Sequence, residues 1–407
     1  MLEMGYSEVA SEGSREARTV VRWTSFLRDV LICSLGAYGG PESHMSVFLT
    51  QLVGKRGYLT ETELVEFIGL TSMLPGPTST QTIVSIGYRI GGPRLALLTM
   101  LVWSLPVLIV MGSLSFLYDF LAAREISHNV LRFVGPMAVG FILVAAVRIG
   151  RKVVVDIPTA LLTAAAAVGA YLIRAPWIFP VLLIAGGATS IIVDREAGMW
   201  NRVRIRPPWR YLTAFVVIAA ASGIAATLTD LLPVRIFESL YRYGYLVFGG
   251  GQVIVPMMHT ELVEVARYMT NDEFLTGYGL VQGLPGPMFS FAAYAGGLSA
   301  RGAGTFEQIL GAVAGGVGIF LPGLLLIFFV YPIWEDLKQI RAVRIALKGI
   351  CAVAGGLLAI AAIILLQATG FTAGNLAAIA ASVVLLAVAK VPPPLIVAAA
   401  LAAGFVV

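Results

Sequence analysis

Two Leu-Pro-Gly-Pro blocks, Leu74–Pro77 and Leu284–Pro287, interrupt apolar stretches of this 407-residue chain. Proline lacks an amide hydrogen and clashes with the preceding turn, and glycine loosens the backbone, so no regular helix runs through either block. After Gly76 and Pro77 come Thr78, Ser79, Thr80 and Gln81. A helix restarting there offers free amides and the positive end of its dipole, both of which favour an anion. Three hydroxyls and a carboxamide add neutral donors. The second copy is poorer. Gly286 and Pro287 lead into Met288, Phe289 and Ser290, and Gln282 precedes the break where the first copy has Ser72. The chemistry implied is reversible binding of an oxyanion. The plainer alternative is that the breaks are hinges or tight packing points.

A second pair of breaks accompanies the first. Gly39-Gly40 precedes Pro41, Glu42 and His44; Gly249-Gly250 precedes Gly251, Gln252 and Ile254. A carboxylate or imidazole is expensive in lipid, so Glu42 and His44 either face a cavity and couple or gate a proton, or lie hydrated near the interface. Arg89 adds positive field to the first break or anchors a helix end. His259 reads as an interfacial residue, and Gly311-x-x-x-Gly315 as a close-packing motif.

The breaks belong to an internal repeat. Shifted by 210 residues, Tyr38-Gly39-Gly40-Pro41 falls on Phe248-Gly249-Gly250-Gly251, and the two Leu-Pro-Gly-Pro blocks coincide. Across positions 38–77, 14 residues are identical without a gap. Apolar composition inflates matches, but it does not place four backbone breaks at one offset.

The elements that carry these breaks must be membrane helices. The chain is 58% hydrophobic and 13% charged, against about 25% charged in soluble domains. Apolar runs such as Leu95 to Leu117 approach the roughly 20 residues a transmembrane helix needs. Strand alternation is absent, so lipid imposes helix. The net charge of +5 sits in short connections rather than on a basic face with interleaved aromatics, which argues against nucleic acid. Cys33 and Cys351 lie in apolar segments and form no disulfide or zinc framework. No cofactor or metal site is indicated.

The fold class expected is therefore an all-α polytopic membrane protein, built as an inverted-topology repeat with broken helices or hairpins at the Gly-Gly and Pro-Gly-Pro motifs. The expected parts are a polar cytoplasmic tail (1–20), a first transmembrane half (21–193), a basic loop plus one linking helix (194–231) and a second half (232–407). One extra crossing inverts the second half. With the N-terminus inside, Lys55, Arg56, Arg89, Arg94, Arg148, Arg151 and Lys152 fall inside, while Glu261, Glu264, Asp272 and Glu273 fall outside. This follows the positive-inside rule at nearly every loop, with Arg124 and Arg132, which fall outside, as the main exceptions. Full spans in place of hairpins would change the count.

The combined motifs resemble the chromate ion transporter family, of the long two-domain kind. The resemblance rests on Tyr38-Gly39-Gly40-Pro41-Glu42-Ser43-His44, Leu74 to Gln81, Gly87-Tyr88-Arg89, Phe248 to Gly251 with Pro256, and Gln282 to Pro287. It implies chromate export across the inner membrane, giving chromate resistance; the sequence shows no nucleotide-binding loop, so ion or proton coupling is the expected drive. The competing reading is transport of sulfate or another tetrahedral oxyanion. A membrane enzyme would need a His-Glu-x-x-His, a nucleophile elbow or paired membrane carboxylates, and none occurs. The sequence is compatible with a homodimer. The expected substrate-binding residues are Gly76, Pro77, Thr78, Ser79, Thr80, Gln81, Gly286, Ser290, Gln282, Gly39, Gly40, Gly249, Gly250 and Gln252, with Glu42, His44 and Arg89 for coupling or gating.

Overall fold

A computed structural model of the chain describes residues 6–8, 20–122, 130–193, 206–248, 251–338 and 340–406. Gly249, Gly250, most of the N-terminal tail and most of the basic central loop lie outside the described residues, as does the side chain of Glu42. The protein is an all-α polytopic membrane protein. Five of the described helices are long and apolar enough to cross a bilayer. Two three-residue strands, β1 (Tyr6–Glu8) and β2 (Val20–Arg22), pair antiparallel just ahead of the first helix.

The first half opens with two hairpins. Helix α1 (Trp23–Gly36) has 14 residues, about 21 Å, which is short of the roughly 30 Å hydrocarbon core. The chain turns at Gly39 and Gly40 and returns as α2 (Pro41–Phe48), extended by a π-helical stretch, Leu49–Lys55. At the open end, buried Asp29 accepts hydrogen bonds from Gln51 (2.9 Å) and Tyr58 (2.7 Å) and pairs with Arg56 (2.9 Å). The second hairpin runs up α3 (Glu61–Ser72) and back down the start of α4 (Thr78–Ala122). Thr60 and Glu63 form a capping box that fixes where α3 begins. Arg89 pairs with Glu63 across the mouth of this hairpin.

Beyond a kink at Gly91–Gly92, α4 continues as a long span. Then follow α5 (Val134–Val153), α6 (Ile157–Leu172), α7 (Ile178–Val193) and the lone linking helix α8 (Trp209–Leu228). The second half repeats the plan. Its first hairpin is α9 (Leu232–Leu246) and α10 (Ile254–His259), again extended by a π-helical stretch, Thr260–Val265. Its second is α11 (Asn271–Gly283) and α12 (Phe291–Ala300). Thr270 and Glu273 form the matching capping box, and Arg301 pairs with Glu273 at the mouth. After these come α13 (Thr305–Val330), the short α14 (Trp334–Leu337), α15 (Arg341–Thr369), α16 (Ala373–Ala387) and α17 (Pro393–Val406).

The two halves are inverted. The long part of α4 starts at the mouth of the first half's hairpin and reaches Tyr118, whose ring meets Tyr294 beside the other mouth (6.3 Å). Helix α13 starts at that second mouth, and Tyr331 at its end meets Tyr88 (4.8 Å) and Phe67 (5.9 Å) at the first. A 26-residue helix is about 39 Å long, so the mouths lie on opposite faces. Leu108 sits against Gly316 and Gly112 against Ala312, which makes α4 and α13 antiparallel. Gly311 and Gly315 let α13 approach the backbone of α12 at Gly296 and Ala292, the packing role that their spacing implies.

Candidate functional site

The four breaks meet in pairs. The amide of Gly76 donates to the carbonyl of Val247 at 2.8 Å, and the amide of Gly286 donates to the carbonyl of Ala37 at 2.8 Å. Each position in the first bond lies 210 residues from its counterpart in the second. Each Pro-Gly-Pro turn therefore caps the Gly-Gly hairpin tip of the opposite half. Polar backbone freed by a helix break at membrane depth must find such partners. Gly76 at φ +125° and Gly286 at φ +101° adopt backbone geometry that a side chain opposes. Gln81 Nε2 further braces the first turn by donating to the Pro75 carbonyl (2.9 Å).

A cavity of about 390 Å³ lies beside these tips. One ordered water needs roughly 10–15 Å³ of such space, so a small anion fits together with several waters. Gly39, Ser72 and Thr78 line it from the first half, and Gln252, Tyr278 and Gln282 from the second. Arg148 and Lys152, one turn apart on α5, add two cationic side chains, and Cys351 of α15 also reaches it. Two repeat pairs line this one space: Ile68 with Tyr278, and Ser72 with Gln282. The pseudo-twofold axis relating the halves thus passes through the cavity. Helix α5 starts where Val134 packs on Gly279 of the second half, then runs about 30 Å to its basic end. The exposed, cationic end of the cavity accordingly lies toward the face that carries the first half's mouth.

Of the string Thr78 to Gln81, only Thr78 lines the cavity. Successive helical residues are rotated by about 100°, so four in a row cannot share one face. Ser79 Oγ instead meets His44 Nδ1 at 2.9 Å, and Thr80 Oγ1 accepts from Trp103 Nε1 at 3.1 Å. Gln81 turns back onto its own break and toward the Gly323 carbonyl. Gly76 and Pro77 are buried in the turn. His44 is 1% exposed, so it is not a hydrated interfacial residue; it packs edge-on to Trp103 at 5.4 Å, and its Nε2 has no hydrogen-bond partner. Glu42 lies in the first turn of α2. Arg89 stands at the hairpin mouth, bound to Glu63 and the Tyr58 carbonyl, away from the cavity lining. Gly39 reaches the cavity, and Gly40 lies beside Gln252. Ser290 is buried with its hydroxyl unpartnered and does not line the cavity. His259 is 4% exposed and bonds Asn271 (3.0 Å), so it is a buried residue rather than an interfacial one.

Five polar cavity residues escaped the sequence reading as site residues: Ser72, Arg148, Lys152, Tyr278 and Cys351. The i, i+4 spacing of Arg148 and Lys152 was visible, but it read as a topology marker. Tyr278 precedes Gln282 by one helical turn and so shares its face. That relation, combined with the repeat, was the available signal.

A family profile described as chromate transporter matches residues 24–191 and again residues 234–405. A chromate transport protein of Pseudomonas aeruginosa is 27% identical over 344 residues, covering 82% of this chain and 78% of its own length. A chromate transport protein of Cupriavidus metallidurans is 25% identical, covering 91% of this chain and 89% of its own. A probable chromate transport protein of Synechococcus elongatus is 24% identical, covering 91% and 93%. No solved structure matches the chain.

Proposed function

Because the chain belongs to the chromate transporter family, we propose that it is a secondary transporter moving chromate through the cavity between its two halves. The observation that carries this reading is the cavity's position on the pseudo-twofold axis, lined by Ser72 and its repeat partner Gln282. A transporter must hold a dianion without trapping it. Hydroxyl and carboxamide donors with two cations at the solvated end suit that task, since water can replace each contact on release. A cation buried in the membrane interior would hold the anion harder and would itself be costly.

The direction proposed is export. Basic connections mark the face toward which Arg148 and Lys152 lie as cytoplasmic under the positive-inside rule. A cavity open there takes its anion from the cytoplasm of a cell bounded by this inner membrane, and its activity confers chromate resistance. The chain has no nucleotide-binding loop, so an ion or proton gradient supplies the drive. Buried His44, with one ring nitrogen unpartnered beside Ser79 at the restarted helix, is the proposed coupling group; Glu42 is the second candidate.

Radiolabelled chromate flux into proteoliposomes, with and without an imposed proton gradient and with sulfate as competitor, tests this. The expected result is saturable flux that the gradient accelerates and that falls in Arg148→Gln. Flux no greater than in protein-free liposomes contradicts the reading. Sulfate moving in place of chromate would shift the substrate to the other tetrahedral dianion.

A further inference from the structure

We propose that Tyr278 and Gln282, both on α11 of the second half, are the residues that hold and select the dianion; this rests on the transport reading above and names the donors of that site. Their counterparts in the first half are Ile68 and Ser72. Ile68 carries no donor. The Ser72 hydroxyl is already given to the Ile68 carbonyl at 2.6 Å. At both positions near the axis, therefore, the uncommitted polar group comes from the second half.

The Tyr278 hydroxyl and Gln282 Nε2 are buried and neither makes a well-formed hydrogen bond within the protein, although one helical turn apart they lie within reach of each other. Tyr278 is 1% exposed and Gln282 6%. A contact between the two uses one N–H at most and still leaves the Tyr278 O–H and the second Gln282 N–H to donate, which is costly to bury unless something occupies the space these residues border, and both line the cavity. Their i, i+4 spacing aims them at one region from neighbouring turns. The Tyr278 ring stands perpendicular to Phe291 (6.1 Å), which holds its direction. The pair supplies neutral O–H and N–H donors, and Arg148 on α5 supplies positive charge from the solvated side. That set fits a compact oxyanion with acceptors on every side, and the lining holds two cationic side chains and no carboxylate to draw a cation instead.

Tyr278 has a second position of note. It also lines a small apolar void of about 10 Å³ shared with Val255 and Met288. These two are the repeat partners of Met45 and Thr78, which line the open cavity. Tyr278 thus lines both the open cavity and the small void beside it.

The test is equilibrium binding of radiolabelled chromate to purified protein at fixed ionic strength. Tyr278→Phe keeps the ring against Phe291 and should weaken binding about tenfold or more, the effect of one hydrogen bond to a charged group. Gln282→Glu is nearly isosteric but places a carboxylate against the dianion. The ratio of its dissociation constant to that of the unaltered protein should exceed about tenfold at pH 8 and shrink as the pH falls and the carboxyl takes up a proton. A packing role alone would give no such pH dependence. Should Gln282→Glu fail to fold, Tyr278→Phe decides. Unchanged binding in Tyr278→Phe, together with a pH-independent ratio in any folded Gln282→Glu, overturns this inference and leaves the transport reading standing. Unaltered protein that neither binds nor moves chromate removes both.

Discussion

Gly76 and Val247 are joined by a 2.8 Å backbone hydrogen bond although 171 positions separate them, and the bond between Gly286 and Ala37 repeats it in the other half. The breaks that interrupt the helices are therefore also the points at which the halves hold each other. Interruption of the helices and cohesion between the halves coincide at the centre of the protein, beside the cavity.

Substituting either glycine tests that coincidence. Gly76→Ala and Gly286→Ala force a side chain onto φ values of +125° and +101°. Strain of this kind costs about 1–3 kcal/mol. At Gly76 the new Cβ would also stand 2.7 Å from Gln81 Nε2, whereas at Gly286 the nearest atom is Val107 Cγ1 at 3.0 Å. Thermal melting in detergent should fall for both variants. Wild-type melting in both would mean the turns tolerate other geometries.

The inverted arrangement predicts opposite labelling of matched hairpin mouths. Single cysteines at Lys55 and Glu264, in a background lacking Cys33 and Cys351, should react with impermeant reagent from opposite sides of the membrane. Reaction from the same side would contradict the antiparallel packing of α4 and α13.

The mouth ion pairs should differ in weight. Glu273 is more buried than Glu63, with side-chain exposure of 10% against 27%. Removing its arginine leaves a largely buried carboxylate without its charge partner, at a cost of up to roughly 3–5 kcal/mol. Arg301→Gln should therefore lower the melting temperature more than Arg89→Gln does. Equal melting temperatures would show that solvent reaches both carboxylates alike.

Neighbouring hydroxyls should separate by function. Thr78 lines the cavity, so Thr78→Val should weaken chromate binding about tenfold, as expected for one lost hydrogen bond to a charged group. Thr80 accepts from Trp103 Nε1, so Thr80→Val leaves a buried indole N–H unpaired and costs about 1–3 kcal/mol of stability. Its effect on affinity should be the smaller of the two. The reverse ranking, read by equilibrium binding and melting together, would place the anion on the other face of α4.

Much of this architecture was legible because backbone rules dictate it. The Pro-Gly-Pro blocks interrupt their helices, whereas lone Pro106 and Pro322 stand inside continuous ones, so it was the common offset of the four breaks that located and paired them. The odd linking helix α8 and the distribution of Lys and Arg then implied inversion. What the chain could not display was the rotation of each helix about its axis. Thr78, Ser79, Thr80 and Gln81 look equivalent when written in a row, yet one faces the cavity and the others meet His44, Trp103 and the Pro75 carbonyl. Tyrosine in an apolar helix resembles packing, and the poorly satisfied hydroxyl of Tyr278 appears only once neighbours are in place. Arg148 was counted for its side of the membrane, which is a property of the sequence; its approach to Ser72 and Gln282 is a property of the fold.

The most direct test of the central claim is to locate chromium itself, by anomalous diffraction from crystals of the protein grown with chromate. The account predicts one chromium peak inside the cavity on the pseudo-twofold axis, between Ser72 and Gln282 and within reach of Thr78 and Tyr278. A chromium peak away from both Pro-Gly-Pro breaks, with the cavity holding only water, would contradict it.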